Sequence, residues 1–151
     1  MTKRDVYLFG VKRHSYQIPN DKRHPIPPQA YVEFTHCIET AITQRDIAGI
    51  AEEMSQEALK ARSDSEESIL CRLALKVSRP YCLCDLYPNA PDDERERTWS
   101  CQLNRFNIYP VLFVLGADHV KSFNRLLTES GFLPFIIEHD WKASSDQNYD
   151  I

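Results

Sequence analysis

The segment from Tyr109 to Phe123, YPVLFVLGADHVKSF, restricts the fold more than any other part of the chain. From Pro110 to Leu115 it is an unbroken apolar run, β-branched and aromatic, with no polar residue to turn toward water. A strand of that kind is buried on both faces, the mark of a parallel sheet covered by helices. The run ends at Gly116 and delivers Ala117, Asp118 and His119 to the start of a helix-like pattern. Ligands of open α/β sheets bind outside the carboxyl ends of the strands, so chemistry is expected where Asp118 and His119 emerge.

Four other segments read as strands: Val6–Phe9, Ile47–Ala51, Tyr81–Cys84 and Phe135–Ile137. Between them lie helical patterns at Tyr31–Arg45 and Ser55–Arg62. A third opens at a Ser63–Glu67 cap and runs to Lys76, a fourth runs from Asp92 or Asp93 to Phe106, and a fifth from His119 to Glu129 with Gly131 as its stop. Val11–Gln29 holds four prolines and reads as a long loop, functional or partly disordered. Strand and helix alternate five times without a hairpin signal. The expectation is a single three-layer Rossmann-like α/β domain over residues 1–141, with a mainly parallel, about five-stranded sheet and a frayed polar tail at 142–151.

The 151 residues suffice for one core, and the net charge of −4 argues against a nucleic-acid partner bound through bulk charge. No apolar run approaches the roughly 18 residues of a membrane span, and no signal-peptide core follows Met1. A soluble, intracellular protein is expected, without a membrane partner. Two tryptophans and the aromatic content allow a homodimer interface. Cys37, Cys71, Cys82, Cys84 and Cys101 are an odd set with no zinc-type spacing; Cys82 and Cys84 should share one strand face, and buried, unreactive thiols are expected. Gly10 stands alone before VKRH, with no dinucleotide fingerprint, P-loop lysine or Gly-x-Ser-x-Gly elbow anywhere. No nucleotide cofactor is expected.

If the strands are parallel, their carboxyl ends gather Gly10 to His14, Glu52 with Glu53, Asp85, Gly116 to His119, and Glu138 to Asp140. Imidazoles with carboxylates suit a divalent metal such as zinc or manganese, or a general acid/base pair around a water. His14, Glu52 and His119 make the candidate metal set, Glu53 joins them as a catalytic candidate, and Asp85, Arg97, Gly116 and Asp118 would bind substrate. Glu52 is favoured over Glu53 by alternation with Ile50. Singly, each residue has a structural role to hand: Asp118 as a helix N-cap, His14 as a solvated loop residue. The run Asp92–Arg97 alternates charge and reads first as a solvated helix face, its functional reading being that Arg97 binds a carboxylate or phosphate. Glu33 and His36 share a helix face and read as a surface pair.

The same residues carry a resemblance. Gly10 with His14, Glu52-Glu53 in IAGIAEEMS, Arg97 in RERTW, and Gly116-Ala117-Asp118-His119 follow a shared pattern. It has a Gly and His after the first strand, a Glu after the second, an Arg on a helix and a late Gly-x-x-His. In this the chain resembles the superfamily that groups erythromycin esterase-like, haem-uptake ChaN-like and TraB/Tiki proteins. It departs from them in placing three residues between Gly10 and His14 rather than two, and in being much shorter. The resemblance implies a fold and a site location; family members include hydrolases and binding proteins. The leading expectation is therefore a metal-assisted or water-activating hydrolase of a small substrate. The alternatives are a non-catalytic module holding a small anionic ligand, and an interaction protein with an inert site.

Overall fold

The computed structural model describes residues 3–146. Five strands, β1 (Asp5–Val11), β2 (Gly49–Glu52), β3 (Tyr81–Leu83), β4 (Val111–Gly116) and β5 (Leu133–Trp141), form one sheet in the order β3-β2-β4-β1-β5. Every pairing is parallel. The expected α/β architecture is thus what the chain adopts, and the apolar run is its centre: β4 lies between β2 and β1, with Val111 to Leu115 fully buried.

Helices α1 (Pro28–Arg45) and α3 (Ile69–Lys76) cover one face of the sheet, packing Phe34, Ile38, Leu70 and Leu73 on Phe9, Ile50, Leu112 and Val114. The other face carries α4 (Asp92–Phe106) and α5 (Val120–Glu129), whose Trp99, Leu103, Phe123 and Leu127 meet Val6, Leu8, Phe113 and Leu115. Connections from β1 and β2 run one way along the sheet over the first face. Those from β3 and β4 run the other way over the second, as a single crossover handedness requires. The loops leaving β1 and β4 therefore diverge, and a crevice opens at the carboxyl ends of these two neighbours.

Local chemistry sets the helix ends. Ser55 caps the short α2 (Gln56–Arg62) by accepting from Ala58 N–H, and Ser68 caps α3 through Cys71 N–H. The Ser63–Glu67 stretch is not the start of a helix: Ser63 Oγ is held by the Pro19 carbonyl, and α3 begins six residues later. α1 and α4 both stop on a left-handed residue, Asp46 (φ 55°) and Asn107 (φ 51°), the two side chains besides glycine that tolerate it best. α4 itself is preceded by Pro91, so neither Asp92 nor Asp93 acts as its cap.

Two stretches expected to be loose are packed. The loop after β1 winds into a short 3-10 turn at His14–Gln17, where Ser15, Tyr16 and Gln17 are completely buried. Tyr16 lies against Phe34 and Trp141, and its hydroxyl donates to Asp146 at 2.7 Å. That aromatic platform also anchors residues 142–146: Ala143 is buried, and Glu33 accepts from both Ser144 and Ser145. Glu33 is thus committed to these serines, and residues 147–151 lie outside the described part.

β5 spans nine residues where the sequence suggested three, and its pairing with β1 shifts register twice. Gly10 sits at this irregularity, where an added Cβ would lie 2.3 Å from the His139 carbonyl oxygen, so only glycine fits. The five cysteines are free; Cys84 is buried but Cys101 is exposed, contrary to the expectation for all five. Cys82 and Cys84 do share a face, their sulfurs 3.5 Å apart. Among the described residues no helix is long and apolar enough to cross a membrane.

Candidate active site

The crevice is a cleft of about 470 Å³ lined by segments that follow β1, β2 and β4, together with α4. Its floor is built on Glu53, one residue past β2. The backbone N–H of Glu53 donates to the Val114 carbonyl (2.8 Å), which fixes the chain and turns the side chain toward β4. Gly116 N–H donates to Oε1 at 2.8 Å, and the Arg95 guanidinium closes on Oε2 at 2.5 Å. Both histidines face the same oxygen. His14 Nε2 is 3.5 Å and His119 Nε2 3.8 Å from Glu53 Oε2. Gly116 leaves the room for this: a Cβ there would stand 3.2 Å from His14 Nε2.

Charge follows geometry. Burial would raise the Glu53 carboxyl, but the charge of the facing His14 and the hydrogen bond from the Gly116 amide hold it near 2. Desolvation would likewise lower His14; Glu53 and Gln17 overcome it and raise the imidazole to about 9. At neutral pH, His14 is therefore an imidazolium beside a carboxylate. Its Nδ1 lies 2.7 Å from Gln17 Oε1, while Gln17 Nε2 donates to Glu52 Oε1 (2.7 Å) and the Glu53 carbonyl. With both acceptors on the amide nitrogen side, Gln17 presents its oxygen to His14, so Nδ1 carries a proton.

His119 is held differently. Its Nδ1 is 2.9 Å from Glu96 Oε2, an oxygen that also accepts from Ser122 Oγ at 2.6 Å. Glu96 is 5% exposed, and Trp99 packs edge-on against the His119 ring. An acceptor at Nδ1 places the ring proton there and leaves Nε2 of the neutral ring with a lone pair facing the cleft. This is a carboxylate-oriented imidazole, the arrangement that serves proton transfer.

The sequence candidates fall into three groups. His14, Glu53, Gly116, Asp118 and His119 line the cleft, Asp118 exposed at its mouth. Asp85 lies beneath it, buried, accepting two hydrogen bonds from Arg95 and one from Trp99 Nε1 at 2.9 Å. It positions Arg95 and does not reach the cleft itself. Glu52 and Arg97 are elsewhere. Glu52 does follow Ile50 in alternation, but that direction leads under α3, where Ser68, Tyr81 and Gln17 all donate to a fully buried carboxyl. Burial raises its pKa. Arg97 points to solvent and pairs with Asp93 one turn earlier, so the solvated-face reading holds for it.

Arg95 and Glu96 replace Arg97, and the sequence held the signal. Trp99 and Leu103 must face inward, and the positions three and four before Trp99 share their face; Arg97, two before, does not. Gln17 had no such signal. Among the described residues no three His, Cys, Asp or Glu side chains are arranged to hold a metal ion. The physical reason is local: the carboxylate common to both imidazoles is taken by a guanidinium and a backbone amide, and Glu52 lies away from the cleft. No protein-family model, curated protein or solved structure matches the chain.

Proposed function

We propose that the cleft activates water to hydrolyse a small ester-like substrate, with His119 as general base. The observation that carries this reading is the Glu96–His119 pair, which aims a free imidazole nitrogen at a point also faced by His14 and Glu53. At 3.5 and 3.8 Å from Glu53 Oε2 the two imidazoles make no short hydrogen bond to it, which leaves Nε2 of His119 available to a water in the cleft. His119 Nε2 takes a proton from that water as its oxygen bonds to the carbonyl carbon. Charge appearing on the carbonyl oxygen is stabilised by the His14 imidazolium and by the positive charge of Arg95. When the intermediate collapses, the bond to the leaving oxygen breaks and the proton on His119 passes to that oxygen. Glu53 stays ionised and acts as the anchor for both cations.

Of the pattern shared with the erythromycin esterase-like and related proteins, His14, Glu53, Gly116 and His119 meet at one cleft, while Arg97 points to solvent. A zinc- or manganese-assisted route fits less well, since a divalent ion on Glu53 would have to displace Arg95. The test is turnover of p-nitrophenyl acetate and related small esters. His119→Ala should abolish it, with partial recovery on adding imidazole, and Glu96→Gln should lower kcat by about 10²–10⁴-fold. Dialysis against EDTA should leave the rate unchanged. Full activity in His119→Ala would sink the proposal, and loss on chelation restored by zinc would replace it with the metal route. Binding of acetate without any ester turnover would favour the second reading, an anion-binding module built on His14 and Arg95.

A further inference from the structure

We infer that a second, smaller chamber beside the cleft receives a short unbranched hydrocarbon chain, so that the substrate class is a short-chain acyl compound. The inference rests on the reading above, in which the reacting carbonyl sits between His14 and Arg95. The chamber, about 170 Å³ and open to solvent on one side, shares His14, Glu53 and Arg95 with the main cleft and is also lined by Ile18, Met54, Ala58 and Pro88. Ile18 and Met54 are held in place from behind by Leu59 in a separate small core.

The chamber's polar groups are already occupied. Ser55 Oγ caps α2, Arg62 pairs with Asp21 through two hydrogen bonds, and Asp85 serves Arg95 and Trp99. What such a chamber offers a ligand is apolar contact. The main cleft is its opposite, edged by Lys12, Arg13, Asp118 and Asp140. A molecule spanning both would place its carbonyl at the shared wall, its alkyl chain among Ile18, Met54 and Ala58, and its polar leaving portion in the larger space. The chamber's 170 Å³ limits it to a short chain.

The test uses straight-chain carboxylates, which need no turnover to be read. Acetate, butyrate, hexanoate and decanoate would be titrated calorimetrically into the intact protein and into Ala58→Phe, with Ala58→Val as the milder variant should the first not fold. Affinity should rise about three- to fourfold per methylene as apolar surface is buried, to a plateau near hexanoate. Ala58→Phe should return hexanoate to the affinity of acetate and leave acetate unchanged. Affinity independent of chain length, no measurable binding of any acid, a continued rise to decanoate, or equal weakening of acetate by the variant would each overturn the inference. Chain-selective binding without hydrolysis of butyrate esters would keep the chamber and remove the hydrolase. Ester turnover indifferent to chain length would do the reverse.

Discussion

Glu53 has two oxygens and four neighbours, and this shapes how the site responds to pH. Its carboxyl is held near 2 while His14 is raised to about 9. A depressed carboxyl stabilises the fold above its ordinary value of 4.5 and loses that contribution as pH falls toward 2. A raised imidazole stabilises it below its ordinary value of 6.5 and loses that as pH climbs toward 9. The pair's contribution is therefore whole only between 4.5 and 6.5. Urea midpoints measured across pH should decline on both sides of that window. In His14→Asn the alkaline decline should flatten, and an unchanged profile there would show that the imidazole is not the group being lost. Sequence reasoning found His14 and Glu53 as residues. It chose Glu52 as the site carboxylate because alternation says which face a side chain takes but not which face holds the site.

At the scale of elements, α4 is the part whose role was misjudged. The charge alternation of Asp92–Arg97 conceals a helix that sends Arg95 and Glu96 inward with Trp99. Arg95→Ala would leave Glu53 and Asp85 buried without their cation, at a cost of about 3–5 kcal/mol. Arg97→Ala removes one exposed ion pair and should stay within about 0.5 kcal/mol. Thermal melts of the two variants distinguish the assignments directly, and comparable losses would mean that α4 is turned otherwise than described. The segment after β5 was misjudged for a different reason. Its residues are polar, but Ala143 and Asp146 meet Tyr16, whose burial comes from Phe34 and Trp141 far away in sequence. Deleting the chain from residue 142 should lower the melting temperature, because the Tyr16 hydroxyl would be left buried without its acceptor. A truncated protein melting with the full chain would show the anchoring to be superficial.

For the molecule as a whole, the parallel sheet was legible because one segment announced it: a run apolar on both faces has few places to go except between two helical layers. Strand order was not, since nothing local in β1 or β2 says that β4 separates them. Val114→Asp should prevent soluble expression by burying an unpaired carboxylate at the centre, and a soluble, normally melting variant would contradict β4's position. The order β3-β2-β4-β1-β5 also bears on how the chain comes to be made. A ribosome delivers β1 first and β2 and β3 next, yet the place between β1 and β2 belongs to a strand not yet synthesised. Until Val111–Gly116 emerges, the early strands have an unfilled slot in their midst and nothing to close it. Domains generally fold as units during synthesis, and here the unit cannot exist before about three-quarters of the chain is present. A fragment comprising residues 1–108 should accordingly show no cooperative melt. Supplied with the remainder as a separate peptide, it should regain one only by taking that peptide's first strand into its middle.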